Sequence, residues 1–206
     1  MVLNSVAFQS FRQWMGTSSA FVRAWVRSPR SVGMVCPSGL RLARSMAASV
    51  PRRGDGLIVE LGAGTGTVTR QLVEAGIAPA RLIVVDHSPV MAGLLRERFP
   101  HLTVVEADAR RIGVHLPEGR KVDCIVSSLP LLSLKGDVRR EIIRSLRDVL
   151  REGGLLVQYT YSWSRANPFL HEGFRCVGSR QVWHNVPPAR VFRFRREEGA
   201  SSPPSR

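Results

Sequence analysis

The first acidic residue of this 206-residue chain is Asp55. Before it stand Arg12, Arg23, Arg27, Arg30, Arg41, Arg44, Arg52 and Arg53, with no carboxylate to neutralise them. That absence excludes ion pairing within the segment and makes it a separate electrostatic object, suited to an anionic partner. Long uncharged apolar runs are missing as well. The longest, such as LLVQYTYSW, are strand-sized, short of the roughly 20 residues a membrane-spanning helix needs. Cysteine is scarce: Cys36, Cys124 and Cys176 are odd in number and far apart, which gives neither a disulfide framework nor a metal-ligand spacing. A reducing cytoplasm and no metal are the expectation. No internal repeat is found.

What is there fits one soluble domain, since 206 residues at 44% hydrophobic can bury an ordinary core. Thirty basic residues, mostly arginine, against 16 acidic ones give a net charge of +14. Such a balance implies a polyanionic partner, either nucleic acid or an anionic membrane surface, although a GC-rich genome also raises arginine content.

Up to about Val26 the apolar residues recur at helical spacing: Phe8, Phe11, Trp14 and Met15, then Phe21, Val22, Trp25 and Val26. Arg12, Arg23 and Arg27 group beside that arc, so the segment reads as a basic amphipathic helix, weakened in its middle at Gly16. Pro29 ends it, and PSGLRLARSMAASV reads as a second helix with Ser38 as its N-cap. From Gly56 onward short apolar runs alternate with helical stretches, the signature of a parallel α/β sheet. GLIVE, RLIVVD, LTVVEAD, KVDCIVSS and GGLLVQYTYS are the strands, with helices over 68–75, 90–99 and 138–150. GFRCVGSRQVWHNV and RVFRFRR read as a closing antiparallel pair, and residues 197–206 as a disordered tail.

In IVELGAGTGTVT, residues 58–69, a strand ends in a carboxylate and breaks into a turn with Gly62, Gly64 and Gly66. The turn opens a helix and lies 20 residues before Asp86, whose carboxylate ends the second strand, where a ribose diol can be held. Glu60 before the first glycine is poor company for a pyrophosphate and good company for a cation.

On VELGAGTG, VVDHS and EADA the chain is similar to class I S-adenosylmethionine-dependent methyltransferases. The resemblance implies a Rossmann-like α/β fold with a mostly parallel seven-stranded sheet, preceded by the amphipathic helical extension. It implies S-adenosylmethionine as cofactor and S-adenosylhomocysteine as product. Glu60, Gly62, Gly64 and Gly66 would face the methionine part, Asp86 the ribose, Asp108 and Ala109 the adenine, and Ser127 would complete the cofactor site. The segment SSLP, Ser127 to Pro130, lacks the Asn or Asp and the following aromatic residue of RNA adenine dimethylases, and the chain ends soon after its sheet.

SPRSVGMVCPSG, VELGAGTG, SSLPLL, QYTYS and NVPPARVFRFRR together resemble bacterial phospholipid N-methyltransferases, which methylate phosphatidylethanolamine toward phosphatidylcholine. RNA adenine N6-methylation is the rival reading, kept alive by the arginine content. The resemblance implies residues 1–50 as a membrane-binding segment and substrate cap, and 51–196 as the methyltransferase domain. Phe11, Arg12, Trp14, Phe21, Arg23 and Trp25 are expected at an anionic bilayer surface, peripherally on the inner face of the cell membrane. The same pattern suits a helix packed on its own domain or an Arg-rich targeting segment. Tyr159 and Tyr161, two apart on a strand, point the same way and could surround a methylated cation. Arg180 and His184 are candidates for the lipid phosphate, with Tyr159 and Tyr161 the catalytic and substrate-binding pair.

Overall fold

The computed structural model describes residues 37–161, 168–183, 185 and 188–199. Helix α1 (Pro37–Ala47) is followed by β1 (Leu57–Leu61), α2 (Thr67–Glu74), β2 (Leu82–Asp86), α3 (Pro89–Arg98), β3 (Thr103–Glu106), β4 (Val122–Ser127), α4 (Gly136–Val149), β5 (Leu150–Thr160), β6 (Phe174–Val182) and β7 (Ala189–Arg196). Short 3-10 turns cover 79–81, 109–115, 131–133 and 168–171. The strands form one seven-stranded sheet in the order β3-β2-β1-β4-β5-β7-β6. β1 to β5 run parallel, and β7 inserts antiparallel between β5 and β6.

Both faces of the sheet are covered, which is why β1 and β2 are buried at every residue and read as continuous apolar runs. On one face Ile58, Val84, Val126 and Val157 meet Leu42 and Met46 of α1, Leu72 of α2 and Leu95 of α3. On the other Leu57, Val59, Ile125 and Leu156 meet Ile142, Ile143 and Leu146 of α4. Each such side chain, fully withdrawn from water, contributes about 1.5–3 kcal/mol.

Two expectations change. α1 begins at Pro37, so Ser38 lies inside the helix and is not its N-cap; proline suits a first turn, where its missing N–H costs nothing. α1 also belongs to the compact unit of the sheet, through Leu42, Met46 and Ala47, although the sequence reading grouped it with segment 1–50. The amphipathic segment with Phe11, Arg12, Trp14, Phe21, Arg23 and Trp25 lies outside the described residues, as do His184 and positions 200–206 of the tail. Among the described residues no helix is long and apolar enough to cross a membrane.

Candidate active site

Reversal of the strand order between β1 and β4 opens a crevice at the carboxyl ends of the parallel strands, where open α/β sheets bind ligands. The glycine turn forms its floor. Gly62, Gly64 and Gly66 take φ values of 67°, 55° and 81°, a region that favours glycine. Space is also short. A Cβ on Gly62 would sit 2.9 Å from Leu129 Cδ2, and one on Gly66 would sit 2.6 Å from Phe99 Cε2. The Gly62 N–H donates to the Val85 carbonyl at 2.9 Å, and Arg98 Nη1 donates to the Thr65 carbonyl at 2.7 Å, which ties the turn to β2 and α3.

Glu60, on the face of β1 that carries Ile58, is fully buried. Neither of its carboxylate oxygens makes a hydrogen bond of good geometry, and neither does the hydroxyl of Thr69 on α2. Burial pushes its carboxyl up to about 7; Thr69 pulls the other way and the nearby Asp86 adds to the rise. An orphaned buried carboxylate beside an open glycine turn fits a ligand that brings a cation and no phosphate there.

Asp86 ends β2, only 6% exposed. Its Oδ2 accepts from the Gly64 N–H at 2.8 Å and its Oδ1 from the Ser88 N–H at 2.9 Å. The carboxylate therefore shapes the glycine turn while each oxygen keeps acceptor capacity for a diol. Asp108 caps the 3-10 turn that begins at Ala109, accepting from the Arg110 N–H at 2.9 Å. The Arg110 guanidinium also takes its Oδ2 at 2.6 Å, and those hydrogen bonds hold the Asp108 carboxyl below its usual range. Ser127, fully buried at the end of β4, stands in register with Leu61 of β1 and Gln158 of β5.

Tyr159 and Tyr161 meet edge to face, with ring centroids 5.4 Å apart, on the sheet face that carries Glu60. Burial, and then Tyr161, push the Tyr159 phenol pKa up, so Tyr159 keeps its proton at neutral pH. Tyr159 pairs with Val191, and Val191 with Arg180. Residues directly opposite across antiparallel strands share a face, so an exposed Arg180 lies two strands, about 10 Å, from Tyr159 on the same side.

Gln158 has no place in the sequence reading. Its Nε2 donates to the carbonyl of Leu129 at 3.1 Å and to that of Tyr159 at 2.9 Å. Leu129 in turn lies over Gly62, and its N–H donates to Ser127 Oγ at 3.4 Å. One buried amide thus links the strand bearing the tyrosines to the loop over the glycine turn. The sequence signal was a lone glutamine inside the apolar run LLVQYT. Among the described residues no group of three or more His, Cys, Asp or Glu is placed to hold a metal ion.

Residues 58–154 match the family model described as a methyltransferase domain. Over 177 residues the chain is 31% identical to an ornithine lipid N-methyltransferase of Singulisphaera acidiphila, covering 84% of this chain and 92% of that protein. It is 30% identical over 132 residues to ribosomal RNA small subunit methyltransferase A of Thermotoga petrophila, covering 63% of this chain and 48% of that protein. The chain therefore spans about half the length of the RNA enzyme. Its fold is similar to that of 1,6-didemethyltoxoflavin-N1-methyltransferase from Burkholderia thailandensis, solved with S-adenosylhomocysteine (TM-score 0.63, 17% identity, 91% of this chain and 90% of that one).

Proposed function

The chain belongs to the class I S-adenosylmethionine-dependent methyltransferases, and from that premise we propose that it methylates the amine of a membrane lipid. The substrate we assign is phosphatidylethanolamine and its methylated derivatives, leading to phosphatidylcholine. The observation that carries this reading is the row Tyr159, Val191, Arg180 beyond Glu60, a paired aromatic surface with a cation about 10 Å to its side. Similarity along 92% of a lipid N-methyltransferase supports it.

S-adenosylmethionine supplies the electrophilic methyl group. Glu60 offers its amino group a buried carboxylate with no ion-pair partner among the described residues, and Asp86 offers acceptor positions to its ribose. The tyrosine rings present π faces to an amine that gains positive charge as it is alkylated. Tyr159, held protonated, acts as a hydrogen-bond donor and not as a base. Arg180 suits the lipid phosphate. The amine must lose its proton before attack; in this reading water takes it, and the side chains act by positioning. Trp14 and Trp25 among arginines would seat the enzyme on the inner face of the cell membrane.

RNA adenine methylation is the second reading, favoured by the Thermotoga petrophila relative. Ser128 and Leu131 stand where such an enzyme needs a polar amide and a stacking ring around its Leu-Pro pair. Methyl transfer from labelled S-adenosylmethionine tests the two. The purified chain is given vesicles of phosphatidylethanolamine in an anionic lipid, ornithine lipid vesicles, or total RNA, with Glu60→Ala as the blank. Label in phosphatidylethanolamine supports the assignment, label in ornithine lipid alone corrects the headgroup, and label in RNA alone overturns it.

A further inference from the structure

At the amino-terminal ends of β1 and β4, about 20 Å along the strands from the glycine turn, lies a cavity of about 690 Å³. Its walls carry Arg53, Arg120, Lys121, Arg151 and Arg195 against two carboxylates, Asp55 and Asp123. Asp123 is already engaged: it accepts from the Gly56 N–H at 3.1 Å and from Arg151 Nε at 2.5 Å, and Arg81 Nη2 stands 3.8 Å away. Gly56 is a glycine for this reason, since a Cβ there would fall 2.3 Å from Asp123 Cγ.

The other cations are held without being neutralised. Arg120 Nη2 donates to the Asp55 main-chain carbonyl at 3.2 Å, and Arg195 Nη1 to the Gly153 carbonyl at 3.1 Å. Both bonds fix a guanidinium at the wall while leaving its charge uncompensated. Arg53 and Lys121 are exposed and form no ion pair among the described residues. Two tethered guanidiniums and two exposed cations around one concavity outnumber Asp55, the wall carboxylate not already paired, and a compact anion with several oxygens relieves their mutual repulsion best.

We propose that this cavity is an anion site for a doubly charged phosphate group, distinct from the transfer site. Arg195 pairs with Leu155, four residues before Tyr159 on β5, which puts the cavity roughly 13 Å from the tyrosines. The cavity opens at the amino-terminal ends of the strands and the tyrosines lie at the carboxyl end, so one ethanolamine headgroup cannot fill both places. The phosphate belongs to a second molecule, either a soluble phosphate compound or another lipid headgroup.

The test is calorimetric titration of inorganic pyrophosphate into the full chain at low salt, repeated on the double variant Arg53→Gln, Lys121→Gln. Binding by the parent, weakened about tenfold or more in the variant, with S-adenosylhomocysteine affinity unchanged, is the expected result. Flotation with phosphatidic acid vesicles, with Trp14→Ala and Trp25→Ala added to both proteins so that the N-terminal segment does not dominate, then identifies the source. Vesicle binding lost in the variant points to a lipid headgroup, and vesicle binding kept while pyrophosphate binding is lost points to a soluble phosphate. Pyrophosphate that fails to bind the parent, or binds parent and variant alike, overturns the proposal.

Discussion

Glu60 sets the pH behaviour of the cofactor site. In the folded chain its carboxyl holds a proton up to about 7, against 4.5 for a free side chain. Between those values the folded state binds a proton that the unfolded state has released. Stability without cofactor therefore falls as pH rises through that window, by on the order of 3 kcal/mol. Cofactor binding runs the other way, because an ammonium needs the ionised form. Affinity for S-adenosylhomocysteine rises about tenfold per pH unit below about 7 and levels off above it. Glu60→Gln binds weakly at every pH and loses that slope; calorimetry across the range reads both effects. At Tyr159 the ring matters more than the hydroxyl. Tyr159→Phe keeps most of kcat/KM, while Tyr159→Ala loses about tenfold, the order of a partly desolvated cation–π contact.

Among the elements, the glycine turn is the least tolerant. Gly66→Ala meets Phe99 and Leu95 at a φ of 81°, which costs about 1–3 kcal/mol. Thermal unfolding should fall by about 2–4 °C for each of those kcal/mol. Gln158→Leu leaves the carbonyls of Leu129 and Tyr159 without their donor, and the loop over Gly62 loosens; kcat drops while S-adenosylhomocysteine binding changes little. These elements differ in how far a sequence exposes them. β1, β2 and β4 were legible because a strand covered on both faces is apolar throughout, and Glu60 was legible because it breaks such a run. The start of α1 was misread because serine and proline at adjacent positions both signal a helix start. The engagement of Asp86 by the Gly64 N–H and the clamp at Gln158 depend on the placing of segments more than 20 residues apart in sequence. No local pattern announces them.

For the whole molecule the charge is the organising property. A net +14 is distributed so that the first 54 residues carry no acid and the described sheet carries a basic cavity at one end and Arg180 near the other. Binding of the full chain to anionic vesicles should weaken steeply as salt rises past about 0.15 M, where the Debye length is about 8 Å. Trp14→Ala with Trp25→Ala should reduce vesicle binding and lipid methylation while leaving S-adenosylhomocysteine affinity intact. The central claim is tested most directly in a bacterial host that makes phosphatidylethanolamine and no phosphatidylcholine, by mass spectrometry of its lipids after the chain is expressed. Phosphatidylethanolamine carrying added methyl groups, absent with Glu60→Ala, is the expected result. An unaltered lipid profile from a chain that binds S-adenosylhomocysteine would contradict it.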